Sequence, residues 1–262
     1  MKTKAFNRSL LVIPYGIFLL FFVVLPLVVV IYYGFTDGNG NISFDNFINF
    51  FTNGRMIGTL VYSLVIAVLT TCVCLLIAYP VAYILAKGSF SKRHGFLMVF
   101  VLPMWVNFTL RITALKEILT LFEGNLAYHP FFNTILCMTY DFLPFMIMPL
   151  YNSLTKLDDS LLEAGSDLGA NRMQVILKIL LPLSIPGIIS GVTMVFLPAM
   201  TNYVVLDMVY NSTYIMGSLI GSYFNAYDWN NGSVISAILL IFIGIITIVT
   251  NKLSSGMEGG RA

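Results

Sequence analysis

The feature that most constrains the fold is a series of six long apolar stretches. Each is long enough, or nearly so, to cross about 30 Å of hydrocarbon, which takes about 20 helical residues. In lipid the backbone must satisfy its own hydrogen bonds, and these stretches lack the alternation of barrel strands, so they are predicted to be helices. The sequence therefore predicts an all-α membrane protein with six transmembrane helices, over residues 10–34, 59–86, 96–119, 131–153, 183–206 and 234–250.

The composition supports a lipid bilayer as the main solvent. Hydrophobic residues make up 58% of the chain and charged residues only 10%, whereas a soluble domain carries about a quarter charged residues. A net charge of +2 is too small to indicate a nucleic-acid partner. Most of the ten prolines lie within or beside the apolar stretches, which predicts kinked helices around a cavity.

Lysine and arginine predict the orientation. The first stretch is predicted to be a retained span, because its apolar core is longer than that of a signal peptide. The N-terminus is placed in the cytoplasm, and the spans alternate in direction from there. Only Arg55, Arg111 and Lys116 then lie outside or at the outer membrane edge. This bias predicts that both termini are cytoplasmic, with these bases inside: Lys2, Lys4, Arg8, Lys87, Lys92, Arg93, Lys156, Arg172, Lys178, Lys252 and Arg261.

The most informative cytoplasmic segment is the 155–182 loop, between the fourth and fifth stretches. Ser160 and Glu163 have the spacing of a capping box, and Gly169 suits the left-handed position that ends a helix. We therefore expect a helix of about two turns over residues 161–168. A second amphipathic stretch, 171–181, leads to Pro182.

The predicted loop helix has two different faces. Its apolar face carries Leu161, Ala164, Gly165 and Leu168 at helical spacing, and another face carries acids at positions 163 and 167, with Arg172 just beyond. Such a helix cannot bury itself alone. Chemistry leaves two alternatives, a helix lying along the lipid headgroups or a helix docking on a partner.

The same loop resembles the signature shared by the permease subunits of bacterial ABC importers. The matching residues are Glu163-Ala164-Gly165, then Gly169, then Ile179-Leu180-Leu181-Pro182, with Gly165 standing where alanine is common. The resemblance implies the type I ABC importer permease fold and a cytoplasmic coupling helix that docks on a soluble ATPase subunit. Glu163 and Asp167 would then face the ATPase, Ala164 and Gly165 would pack closely against it, and Gly169 would set the turn.

The resemblance also implies a non-catalytic subunit. The chain contains no phosphate-binding loop of the Gly-x-x-x-x-Gly-Lys-Ser/Thr type. ATP and magnesium would therefore be bound by the partner ATPase, and no catalytic residue or cofactor is assigned to this chain. The cysteines and histidines lack metal-ligand spacing, so no metal site is predicted.

Further motifs resemble the PotB-type family of spermidine and putrescine permeases, within residues 102–112, 143–158, 186–189, 196–199 and 228–229. This implies alternating access in a bacterial inner membrane. The implied partners are a homologous second permease of PotC type, two copies of the ATPase and an external polyamine-binding protein. The implied domains are 1–58 (tail, first helix and external loop), 59–251 (type I permease domain with the 155–182 loop) and 252–262 (cytoplasmic tail).

Asp141 lies near the middle of the fourth stretch, where a carboxylate costs at least about 2.5 kcal/mol unless it faces water or a partner. It either contacts a substrate ammonium group or is a paired structural residue beside Pro144. Trp105, Tyr140 and Tyr203 could supply cation–π faces along the substrate pathway, or could simply be packing residues.

Two other classes of function remain as alternatives. One is a type I ABC permease for another solute, such as ferric iron, sulfate or an amino acid. The other is a secondary transporter or channel, which predicts inverted repeats and paired interrupted helices that the sequence does not display. A membrane enzyme is disfavoured because no cluster of histidines, cysteines or carboxylates has active-site spacing.

Overall fold

The computed structural model describes residues 12–88, 93–209 and 214–258. Its long elements are helices, which confirms the all-α class. In chain order they are α1 (Val12–Gly34), α2 (Asp45–Thr52), α3 (Gly54–Lys87), α4 (Arg93–Val101), α5 (Phe108–Glu123), α6 (Pro130–Thr155), α7 (Ser160–Asp167), α8 (Arg172–Val175), α9 (Ile185–Thr201), α10 (Tyr203–Val209), α11 (Met216–Asn225) and α12 (Trp229–Glu258).

Four helices are unbroken and are long and apolar enough to cross a membrane. They are α1, α3, α6 and the Trp229–Thr250 part of α12, and they match the first, second, fourth and sixth predicted stretches. The helix α3 has 34 residues and starts five residues before the predicted stretch. A π-helical turn, Leu20–Val24, interrupts α1 without ending it.

The third predicted stretch, 96–119, is not one straight helix, so that expectation is corrected. Gly95–Trp105 and Phe108–Glu123 meet at an angle of 100°. Pro103 lies in a 3₁₀ turn, and Asn107 then caps α5 by accepting a hydrogen bond from Leu110 N at 3.3 Å. Proline cannot donate a backbone hydrogen bond and asparagine is a favoured cap, so the chain stops one helix and starts another here.

The fifth predicted stretch, 183–206, is also divided. Met173–Leu183 and Ile185–Thr201 meet at 70° around Ser184, between two prolines that lack backbone N–H groups. A second break at Asn202 separates α9 from α10. The described residues thus contain four unbroken candidate spans, or up to six when each bent pair counts as one.

The described residues form two units. The first comprises the described parts of 1–58 and 219–242. In it, Asn230 Nδ2 donates to the carbonyl of Tyr33 at 3.0 Å, and the Trp229 ring lies 6.2 Å from the Tyr33 ring and 5.5 Å from that of Phe224. These contacts fasten the start of α12 to the end of α1.

The second unit comprises the described parts of 59–218 and 243–262, with α6 in its interior. The most extensive helix packing in the described residues is between α6 and α9. Gly187 and Gly191, four residues apart on α9, make it possible. A β-carbon at Gly191 would lie 2.6 Å from Met146 Sδ, and one at Gly187 would lie 3.0 Å from the carbonyl of Pro149. Small residues at this spacing let membrane helices approach closely.

The helix α3 also packs on α6. Thr70 Oγ1 lies 3.9 Å from Met138 Sδ, and Cys74 Sγ lies 3.6 Å from the carbonyl of Thr139. Nearer its C-terminal end, the hydroxyl of Tyr79 lies 3.1 Å from that of Ser184, at the bend before α9. The helix α3 therefore contacts both sides of the 155–182 loop.

We expect Gly187→Val to destabilise the protein by about 1–3 kcal/mol, because the added carbons would overlap the backbone of α6. The matched change Gly244→Val should have little effect, since no atom of the described part of the chain lies within 4 Å of a β-carbon there. The measurement is the thermal unfolding midpoint of each purified variant. Equal midpoints for the two variants would contradict the assigned role of Gly187.

Candidate functional site

The 155–182 loop begins with a cap that differs from the predicted one. Ser160 is the first residue of α7 and no Ser160–Glu163 capping box forms, so that prediction is wrong. Instead, Asp158 Oδ1 accepts a hydrogen bond from Ser160 N at 3.0 Å, and the carbonyl of Asp159 accepts from the N–H of Leu162 and of Glu163. The aspartate turn starts the helix one residue earlier than expected.

The same hydrogen bonds explain the charge of Asp158. The backbone N–H and the hydroxyl of Ser160 lower the pKa of this carboxyl below its usual value, and the Lys87 ammonium group lowers it further. Hydrogen bonds to the charged form favour that form. The Asp158 carboxylate is therefore ionised at neutral pH and remains a hydrogen-bond acceptor.

The end of α7 is as predicted. Gly169 has φ +79°, the left-handed conformation expected for it. The N–H of Gly169 donates to Ser166 O at 2.9 Å, and the N–H of Ala170 donates to Gly165 O at 3.1 Å. These two bonds form a Schellman motif, which satisfies carbonyls that would otherwise lack partners at the end of the helix.

The side chains of α7 point in two directions. Glu163, Ala164 and Asp167 are exposed, whereas Gly165 is buried. A β-carbon at Gly165 would lie 2.6 Å from Ile179 Cδ1. Gly165 therefore packs inside this chain. The expectation that Gly165 packs against a partner is thus not met. The small size of Gly165 lets α7 lie against the segment after α8.

The helix α8, which precedes that segment, begins with the reciprocal cap that α7 lacks. Asn171 N donates to Gln174 Oε1 and Gln174 N donates to Asn171 Oδ1, both at 2.9 Å. Arg172 is the first residue of α8, and its side chain lies outside the described residues. After α8 the chain forms a π-helical turn, Ile176–Leu180, and then a short turn, Leu181–Leu183.

A lysine that sequence reasoning did not single out holds the start of the loop. Lys87, the last residue of α3, directs Nζ to the carbonyl of Leu157 at 2.5 Å and to Asp159 Oδ1 at 2.6 Å. Its side chain is only 6% exposed. The partners lie about 70 residues apart in sequence, so no local pattern could have identified the contact.

Asp141, the candidate from the fourth stretch, forms a buried ion pair. Asp141 Oδ1 lies 2.7 Å from Arg111 Nη2, and both side chains are almost completely inaccessible. Arg111 comes from α5, just after the 100° bend. The arginine neutralises the carboxylate within the chain, and a contact of Asp141 with substrate stays a prediction.

The aromatic candidates lie partly together. Trp105 and Tyr140 line one cavity of about 680 Å³. Arg111 also lines this cavity, and the other lining side chains are apolar. Asp141 lies behind Arg111 and is not part of the lining. Tyr203, at the start of α10, does not line this cavity; its ring lies beside Gly217. Among the described residues, no group of three or more histidines, cysteines or carboxylates could hold a metal ion.

Comparison with known proteins identifies the chain's relatives. The spermidine/putrescine transport system permease protein PotB of Escherichia coli (strain K12) is 37% identical over 207 residues, covering 72% of this chain and 75% of that protein. The protein of the same name from Haemophilus influenzae is 35% identical over 260 residues, covering 90% of this chain and 91% of the relative.

Solved structures share the fold at low sequence identity. A chain of a bacterial ABC transporter involved in import of the polysaccharide alginate has a TM-score of 0.69 at 15% identity, with 94% of each chain covered. A chain of the MetNI methionine ABC transporter has a TM-score of 0.60 at 16% identity, covering 78% of this chain and 96% of that one.

The family model for binding-protein-dependent transport system inner membrane components matches residues 78–256. This match contains α6, α7 and α9, and with them the 155–182 loop. Together with the relatives, it establishes that this chain belongs to the family of binding-protein-dependent transport system inner membrane components.

Proposed function

We propose that the chain is the channel-forming permease subunit of an ATP-driven, binding-protein-dependent importer of spermidine and putrescine. The observation that carries the substrate assignment is the 35–37% identity to PotB permeases over most of the chain. The observation that carries the permease mechanism is α7, a short exposed helix capped at both ends.

The proposed topology has six spans in the inner membrane, with both termini and the 155–182 loop in the cytoplasm. Counting each bent pair as one span gives six crossings, and the bias of lysine and arginine supports the orientation. Residues 59–251 would form the permease domain, preceded by a tail, a first helix and an external loop in 1–58 and followed by a tail in 252–262.

The helix α7 would be the coupling helix. Glu163, Ala164 and Asp167 lie on its exposed side, where they can meet the ATPase, while Gly165 holds its other side against Ile179. Arg172, at the start of α8, lies next to this surface in sequence. The partner ATPase would bind ATP and magnesium, and this chain would convert the closure of the ATPase into alternating access.

The proposed assembly contains a homologous second permease of PotC type, two ATPase copies and an external polyamine-binding protein. A pathway shared between two permeases would explain why Trp105, which lines the cavity, is 78% exposed in this chain. Trp105 and Tyr140 would present aromatic faces to a passing amine, and Tyr203 would contribute another along the pathway. Asp141 could contact substrate only after leaving Arg111.

The substrate assignment predicts that cells lacking this gene take up radiolabelled spermidine only when the gene is restored. Uptake should stop on ATP depletion, because a separate ATPase drives the cycle, and unlabelled putrescine should compete. Absence of spermidine uptake, despite membrane insertion and association with the ATPase, would contradict the substrate and leave the family assignment intact.

The coupling role of α7 predicts that Gly169→Val impairs transport. Valine at φ +79° costs roughly 1–2 kcal/mol, so the end of α7 would lose its cap. Asparagine tolerates this conformation better, and Gly169→Asn is the matched control. We expect fewer spermidine molecules transported per ATP hydrolysed for valine than for asparagine in proteoliposomes holding the complete transporter.

Glu163→Lys tests the exposed side of the same helix. Reversing this charge should leave the helix folded and the subunit inserted, while the yield of transport per ATP falls. A normal yield in both Glu163→Lys and Gly169→Val would contradict the coupling role of α7.

The Arg111–Asp141 pair predicts a difference between single and double variants. Removing either charge leaves the other buried without its partner, at a cost of roughly 3–5 kcal/mol, whereas replacing both by apolar residues is often tolerated. Arg111→Gln or Asp141→Asn alone should therefore reduce the amount of assembled transporter. The double variant Arg111→Met with Asp141→Leu should restore it.

Uptake per assembled transporter then separates the two roles of Asp141. A lost hydrogen bond from a substrate ammonium group, of about 1.5–3 kcal/mol, corresponds to a roughly ten- to hundredfold reduction. We expect that reduction in the double variant if Asp141 contacts substrate. Normal uptake per transporter would assign the pair a structural role only.

A further inference from the structure

We propose that Lys87 is a positioning residue that transmits movement of the coupling helix to α3, through its contacts with Leu157 and Asp159. The inference rests on the proposed coupling role of α7. It adds a connection between that helix and a span 70 residues earlier in the sequence, so that three helices, α3, α6 and α9, would move with the loop.

Two hydrogen bonds hold the Lys87 ammonium group in place. Its Nζ donates to the Leu157 carbonyl and to Asp159 Oδ1, at 2.5 and 2.6 Å. The side chain is 6% exposed, so the ammonium group has little water to replace these partners. A cation at the C-terminal end of α3 is also favoured by the helix dipole. The contact is thus held in place from the side of α3.

The partners of Lys87 lie where α7 begins. Leu157 is in the turn after α6, and the carbonyl of Asp159 accepts hydrogen bonds from Leu162 and Glu163 in the first turn of α7. A displacement of α7 therefore acts directly on the two acceptors of Lys87. The charge-assisted bond to the carboxylate is the stronger kind of hydrogen bond, so α3 would be pulled along.

The adjacent residues Asp158 and Asp159 make different contacts at the start of α7. Asp158 accepts a local hydrogen bond from Ser160 N and thereby starts α7. Asp159 caps nothing with its side chain and instead reaches the lysine of another helix. Its side chain is 75% exposed, so an asparagine fits at this position without burying a new polar group. The capping role of Asp158 and the contact of Asp159 with Lys87 can therefore be tested separately.

A proline precedes the end of α3. Pro80 lies inside α3 and has no backbone N–H, so the helix lacks one hydrogen bond about two turns before Lys87. Helices bend at such positions. Tyr79, next to it, contacts Ser184 at the bend before α9. The helix α3 thus contacts both sides of the loop, at Lys87 and at Tyr79.

The test uses the complete transporter, with its second permease, ATPase and binding protein, in proteoliposomes loaded with ATP. Spermidine transported and ATP hydrolysed are measured in the same sample. Coupling free energies between sites correspond to about 5–150-fold effects, and we expect Lys87→Met to lower the ratio of transport to hydrolysis about tenfold. Lys87→Arg, which keeps the cation, should restore most of it.

The matched pair Asp159→Asn and Asp158→Asn removes one negative charge at neighbouring positions. Asparagine at 158 can still accept the hydrogen bond from Ser160 N. The Asp158 carboxylate acts on Lys87 only through space, whereas Asp159 accepts its hydrogen bond, so the ratio should fall much less at 158 than at 159. Asparagine at 159 loses the charge that faces Lys87, and the ratio should fall. Because Asp159 is exposed, this comparison remains valid even if Lys87→Met does not assemble. Equal ratios in the two variants would overturn the proposal.

A purely structural Lys87 would give a different result. Lys87→Met would then reduce the amount of assembled transporter but leave the ratio per assembled transporter unchanged, and this too would overturn the proposal. If Glu163→Lys lowers the ratio while Lys87→Met and Asp159→Asn do not, only the role of Lys87 fails. If all three leave it unchanged, the coupling role of α7 fails as well.

Discussion

The close approach of α6 and α9 is the contact on which the functional part of this chain depends. In a bilayer, apolar side chains gain nothing by leaving lipid for one another, so tight packing of small residues has to hold helices together. Gly187 and Gly191 supply that packing against Met146 and Pro149. Since α6 enters the 155–182 loop and α9 leaves it, this contact fixes both ends of the loop. The helix α7 is therefore connected at both ends to the packed pair α6 and α9.

The breaks in the helices have identifiable local causes and bring distant groups together. A proline-containing 3₁₀ turn and the Asn107 cap produce the 100° bend before α5. After that bend, Arg111 meets Asp141 of α6. Non-helical backbone is tolerated at membrane depth only where protein or a cavity surrounds it. The cavity lined by Trp105 and Tyr140 lies beside this break.

Sequence reasoning succeeded where the cause was local. The loop helix and the left-handed Gly169 follow from residue type and spacing, and both are present. The prediction of the N-terminal cap of α7 was wrong because three successive residues, Asp158, Asp159 and Ser160, all favour the N-cap position. The distant Lys87 engages Asp159, and nothing in the local pattern indicates this.

The same limit applies to the membrane charges. Hydropathy places Arg111 at an outer edge and Asp141 in mid-span, and only the bend, which a count of apolar residues cannot reveal, makes them partners. The Gly187–Gly191 spacing is a signal for close helix packing, but the spacing does not indicate which helix packs there, and only Gly187 lies within a family motif. The partner-facing role of Glu163 and Asp167 stays a prediction.

The Arg111–Asp141 pair also has a consequence for biogenesis. A single charge at the bilayer centre costs about 2.5–3.5 kcal/mol, whereas the paired charges neutralise one another at 2.7 Å. The two residues lie on successive helices, α5 and α6, with only residues 124–129 between them. Membrane entry of these helices as one hairpin avoids both single-charge costs. Because the pair joins neighbouring helices, the order of synthesis favours their insertion together.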